Sequence, residues 1–169
     1  SLSSTGLGAG TQTLFRTTVA AVGGTVVWNN ITFTVASSSN AITFTGWKLF
    51  ENGVDITADA TGAAASTSSD LGGKRKEFTF ATERAITSGT VLELRADLGG
   101  TIATGDSVTV QITNPKGTTV TSDDSAVQQA SGASFVWSDS SAATHSSSTD
   151  DWFTDGLLKT LAESQSRTK

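Results

Sequence analysis

The stretch TVLELRADL, residues 90–98, alternates without a break: Leu92, Leu94, Ala96 and Leu98 take one side, Glu93, Arg95 and Asp97 the other. Successive side chains of a β-strand point to opposite faces, so this period of two marks a strand with one face on a core and one in water. DSVTVQITN at 106–114 repeats it through Val108, Val110 and Ile112, and Asn114-Pro115 ends the run. Upstream, ITFTVA and AITFT set Ile31, Phe33, Val35, Ile42 and Phe44 against threonines on the opposite face. EFTFATE at 77–83 is a strand through Phe78 and Phe80, and TQTLFRTTVAAV at 11–22 reads as the first strand. Asn52-Gly53 closes a hairpin between KLFE and VDIT, because a tight two-residue turn needs the left-handed backbone that Asn and Gly tolerate.

The remaining segments are weaker. Residues 57–73 are poor in apolar bulk and read as a long loop. GTTVTS at 117–122 is a candidate edge strand, SFVWSD at 134–139 a strand, and GLLKTL at 156–161 a returning strand. No helical period extends over ten residues. Eight to ten short strands separated by Gly, Asn and Ser turns indicate an all-β fold, a single immunoglobulin-like antiparallel β-sandwich with a jelly roll as the alternative. The expected organisation is a flexible N-terminal arm over 1–11, the sandwich over 12–161 and a polar C-terminal tail over 162–169.

Composition agrees. Ser and Thr make up about three residues in ten of the 169, well above ordinary usage, and branched Thr suits a pleated surface. There is no cysteine, so no disulfide framework supports the fold, and no methionine, so residue 1 reads as a processed or trimmed start. Cys and Met are the side chains most easily oxidised, and their joint absence suits a protein exposed outside the cell. A net charge of −5 argues against nucleic acid and anionic membrane, both of which need a basic patch. The one basic run, Lys74-Arg75-Lys76, is answered at once by Glu77 and reads as solvated. No segment has the apolar length of a membrane span.

Candidate chemistry concentrates in FVWSDSSAATHSSSTDDW, residues 135–152, with Asp155 just beyond. His145 is the single histidine, and no G-x-S-x-G elbow or phosphate-binding loop accompanies it. It reads as a solvated loop residue, and the chain as non-enzymatic. Asp150, Asp151 and Asp155 with loop carbonyls have the oxygen chemistry calcium takes, without the spacing of an EF-hand loop. Zinc is excluded by one His and no Cys. Trp47 and Trp137 read as caps of the core, whereas Trp152, in the acidic loop, is a candidate for stacking on sugar. Asn30-Ile31-Thr32 matches the N-glycosylation pattern, making Asn30 a candidate acceptor.

The run WNNITFTVASSSNAITFTGWKLFENGVDIT, then SGTVLELRADL, GDSVTVQITN and the closing VWSD…HS…DW, resembles a β-sandwich module repeated in large surface proteins of small-genome candidate bacteria. The resemblance spans roughly 12–161. It implies a structural role at the cell surface or outside the cell, and it carries no catalytic or ligand residues.

Two functions follow as expectations. The first is a subunit of a self-assembling filament, pilus-like, or of a surface layer. An exposed sheet edge templates pairing with another chain, and the N-terminal arm, anchored by Leu2, Leu7, Leu14 and Phe15, is the candidate donor strand of a homopolymer. Its Ser- and Thr-rich faces would carry glycans. The second is an adhesion or carbohydrate-binding module whose acidic rim, stabilised by calcium, meets a host surface or glycan.

Overall fold

The computed structural model describes residues 2, 6–61, 75–86, 89–112, 121–122, 135–154 and 164–169. Strands carry the chain: β1 (Gly10–Val19), β2 (Val26–Ser37), β3 (Ile42–Glu51), β4 (Val54–Asp55), β5 (Ala60–Thr61), β6 (Arg75–Ile86), β7 (Thr90–Gly100), β8 (Ser107–Gln111), β9 (Thr121–Ser122), β10 (Phe135–Ser138), β11 (Trp152–Thr154) and β12 (Ser164–Thr168). Every pairing is antiparallel. One sheet has the order β1-β7-β3-β4, and in the other β2 is the hub, paired with β6, β8 and β10. The two sheets pack as the sandwich that the alternation predicts.

The inward side chains of TVLELRADL do what their period demands: Leu92, Leu94 and Ala96 are fully buried and Leu98 nearly so. They share the core with an aromatic layer from the opposite sheet, which Phe15 of their own sheet joins. Phe33 stands edge-on to Phe15 at 5.5 Å and to Phe78 at 6.3 Å. Trp28 is edge-on to Phe80 at 5.2 Å and stacked on Phe135 at 5.6 Å. Such pairs add about 0.5–1.5 kcal/mol each beyond the area they bury. The Asn52-Gly53 turn is as expected, with φ of 50° and 84°, and Glu51 sits opposite Val54.

Three outward readings change. Glu93 is not free in water; Arg16 and Arg95 close over it at 3.2 and 2.6 Å, and only 11% of its side chain is exposed. Lys76 is buried and lies 5.2 Å from the Trp47 ring, so the basic run is not a solvated patch there. Residues 57–61 of the expected loop form a 3₁₀ turn (Thr57–Asp59) and then β5 against β6, while 62–73 lie outside the described residues.

Described residues near both ends of the sequence are built in. Leu7 is buried in the core and its N–H donates to the Thr168 carbonyl at 3.1 Å, so the segment expected as a free arm is seated from Leu7 onward. Leu2 is half-buried, and Leu14 and Phe15 belong to this chain's own core. The segment expected as a polar tail is β12, which pairs with β8 over five positions. It also reaches the other sheet. The Gln165 amide accepts from Arg16 N–H at 3.0 Å and donates to Arg16 C=O at 2.6 Å, and Arg167 Nε donates to Thr13 C=O. Side chains thus occupy the outer edge of β1 where a further strand would bond.

Candidate functional site

The stretch 135–152 folds as strand, loop and strand. On β10, Phe135 and Trp137 turn toward the main core, and Val136 and Ser138 turn to the other face of the sheet. There Val136 packs with Trp152 and Val27 in a second, small apolar cluster. Residues 139–151 lie over it. The Trp152 indole is fully buried and donates to Ser146 C=O at 3.0 Å, so the loop is fastened to its own floor.

Asp151 organises the loop from inside. Its Oδ2 accepts from Ser138 Oγ at 3.1 Å, Ala142 N–H at 3.2 Å and His145 Nδ1 at 2.8 Å, and its Oδ1 accepts from the Thr149 hydroxyl. Burial alone would raise its pKa, but those donors reverse the effect and hold it down at about 2. Short local bonds set the approach, with Ser140 N–H to Ser138 Oγ and Ser141 N–H to Asp139 Oδ1. Ser and Asp make such turns readily because their short side chains reach backbone N–H groups nearby.

His145 is the cross-link. Its Nε2 lies 2.7 Å from Glu83 Oε2 on β6, opposite the bond to Asp151, and its ring sits 5.4 Å from Trp152. Side-chain exposure is 16% for His145, 5% for Asp151 and 31% for Glu83. Burial by itself would lower the pKa of His145; hydrogen bonds and charge from Glu83 and Asp151 outweigh it and raise the pKa above the ordinary value. Glu83 reaches this position through an irregularity in β6. Asn29 alone separates Trp28 from Asn30 on β2, while Phe80–Glu83 separate their partners Arg84 and Thr79 on β6. Extra residues of this kind re-aim side chains. Next along β6, Arg84 grips Glu51 at 2.6 Å and Asp59 at 3.2 Å.

The expected solvated histidine is therefore partly buried between two carboxylates. Among the described residues each ring nitrogen faces a carboxylate. Of the expected calcium ligands, Asp150 is exposed, Asp151 is turned inward and bonded from within the chain, and Asp155 lies outside the described residues. Among the described residues no group of three or more His, Asp or Glu side chains is arranged to hold a metal ion. Trp152 is the floor of the loop and not a sugar platform, while Trp137 packs against the main core as read, half-buried and stacked on Phe153 at 4.7 Å. Asn30 is only 2% exposed, and its amide donates to Glu77 at 2.7 Å and Thr79 at 2.8 Å. A glycan on that nitrogen would replace one of these two N–H donors and would need room at a buried position in the sheet.

Glu83 was missed by sequence reasoning, being 62 residues from its partner. One signal was present: the alternation of Phe78 and Phe80 loses phase at Ala81-Thr82, which is where the strand bulges. The fold and site define an antiparallel β-sandwich with a histidine-pinned loop over one sheet. No protein-family model, curated protein or solved structure matches this chain.

Proposed function

We propose that this chain is a non-enzymatic structural module outside the cell that assembles with copies of itself by exchanging its N-terminal strand. One observation carries the reading. Among the described pairings β1 bonds to a single strand, β7, yet it delivers Leu14 and Phe15 to the core, with Leu7 just before it. A strand with one backbone partner and several core anchors supports strand addition to a second copy, since the vacated groove is filled by an identical segment. Its other edge is held by side chains of β12, a weaker attachment than a ladder. The absence of Cys and Met supports an oxidising location, and the hydroxyl-rich faces suit a solvated or glycan-bearing polymer.

The register supplies the test. Thr11 and Asp97 are direct partners on β1 and β7 and their side chains are hydrogen-bonded. Opposed antiparallel residues have the Cα spacing a disulfide accepts. Chains carrying only Thr11→Cys and chains carrying only Asp97→Cys are mixed, partly unfolded, refolded at high concentration and oxidised. The expected product is a mixed disulfide between the two variants, with longer filaments by electron microscopy. Only reduced monomers from the mixture would rule out strand exchange.

A second reading, a carbohydrate-binding surface module, is favoured by a shallow depression beside the loop, lined by Ser141, Ser148, Thr149, Asp150 and Phe153. Hydroxyls, a carboxylate and an aromatic ring suit a neutral sugar. Saturation-transfer NMR with neutral oligosaccharides tests it, with Phe153→Ala expected to abolish the signal.

A further inference from the structure

We propose that the Glu83–His145–Asp151 bridge is a proton-operated clasp, which holds the loop 139–151 on β6 only while the imidazole carries both ring protons. The reasoning rests on donor arithmetic. Two carboxylates stand at 2.7 and 2.8 Å from the two ring nitrogens, and neither carboxylate can donate when ionised. An imidazolium satisfies both. A neutral ring has one N–H, so one carboxylate must face a lone pair.

The surroundings decide which contact fails. Asp151 is nearly sealed from water and keeps its place among Ser138, Ala142 and Thr149, so the remaining proton stays on Nδ1. Glu83 has 31% of its side chain in solvent and can turn outward. Deprotonation therefore breaks the bridge to β6 first; the loop is then held only by its own bonds, through Asp151 and the Trp152 indole, and opens more often. The groups facing the ring are Glu83 from β6, Asp151 and Thr149 from the loop, and the Trp152 face from β11. The other acids of the loop, Asp139 and Asp150, are exposed, and Arg84 is bound to Glu51 and Asp59. No cation near the ring among these groups opposes its protonation.

The sign follows. The pKa of His145 is raised in the folded chain, so the clasp is fully made below about 6.5 and is lost as pH rises through the folded value. Opening of the freed loop uncovers Trp152, against which His145 and Ser146 sit, and with it the small apolar cluster of Val27, Val136 and Trp152. The clasp thus links the solution pH to exposure of an apolar patch on the outer face of one sheet, a feature separate from β1 and its exchange.

A single histidine makes the test clean. The ring nitrogens are followed by ¹⁵N NMR through a pH titration, and exchange of the Ser140 and Ala142 amides is measured beside a His145→Gln chain at each pH to cancel intrinsic rates. The expected result is an imidazolium persisting above the ordinary midpoint, a neutral form protonated at Nδ1, and amide protection that falls at the same midpoint. Protection should change about tenfold for each unit by which the pKa is raised. In Glu83→Gln, whose amide can still bond at a partly exposed site, the midpoint should drop and the loss of protection should move with it. A midpoint unmoved by Glu83→Gln, a neutral form protonated at Nε2, or amide protection flat through the titration would overturn the clasp.

Discussion

At Asp151 a buried charge is tolerated because the loop spends its donors there. Four groups converge on one carboxylate, and its pKa falls from 3.8 to about 2. The folded form binds its proton less readily than the unfolded chain, so the resulting stability is present above the unfolded value and is lost as pH falls through about 2. That shift corresponds to about 2 kcal/mol. Denaturant unfolding of wild type and Asp151→Ala should show a gap at pH 6 that narrows by about this much at pH 2. A second residue prediction concerns backbone shape. Gly100 has φ of 76°, and an added Cβ would collide with the Ala41 carbonyl. Gly100→Ala should destabilise by more than about 1 kcal/mol, read as a lowered denaturation midpoint, because φ and contact are both unfavourable. Sequence alone showed which residues of 90–98 point inward. It could not show that Glu93 is covered, since that depends on Arg16 from another strand.

Strands differ in how openly the sequence announces them. β7 and β8 were legible because their apolar period is uninterrupted, and the Asn52-Gly53 hairpin because its turn has strict backbone needs. β12, SQSRT, was not, because it has no apolar side chain: its contribution is hydrogen bonding to β8 and, through Gln165 and Arg167, to β1. A polar strand at an edge looks like a tail until its partners are known. The same holds for the site, where DDW announced acidity but the bulge that brings Glu83 to His145 depends on pairing between β2 and β6. The Gln165 amide pairs with both backbone groups of Arg16, as a neighbouring strand would, and so blunts an open edge. Gln165→Ala should cost about 1–2 kcal/mol by removing two hydrogen bonds. It should also speed exchange of the Arg16 amide, which hydrogen exchange followed by NMR would detect, while leaving the far strand β4 unchanged.

Across the whole molecule, the proposed assembly would draw on a strand that the fold itself needs. Without disulfides the sandwich depends on its aromatic core, and β1 supplies Phe15 to that core from the edge of a sheet. An intramolecular bond across β1 and β7 should therefore act in two directions at once. The double variant Thr11→Cys/Asp97→Cys joins residues that are already in register, and closing so long a loop restricts the unfolded chain by up to about 4 kcal/mol. Oxidised, this chain should melt several degrees above its reduced form and remain monomeric at any concentration, because the exchangeable strand is tied to its own sheet. Reduced, it should assemble like wild type. Scanning calorimetry and size-exclusion chromatography on the two redox states read both effects from one protein. Filaments that form equally well from the oxidised chain would show that assembly proceeds through other surfaces, with β1 serving only the fold.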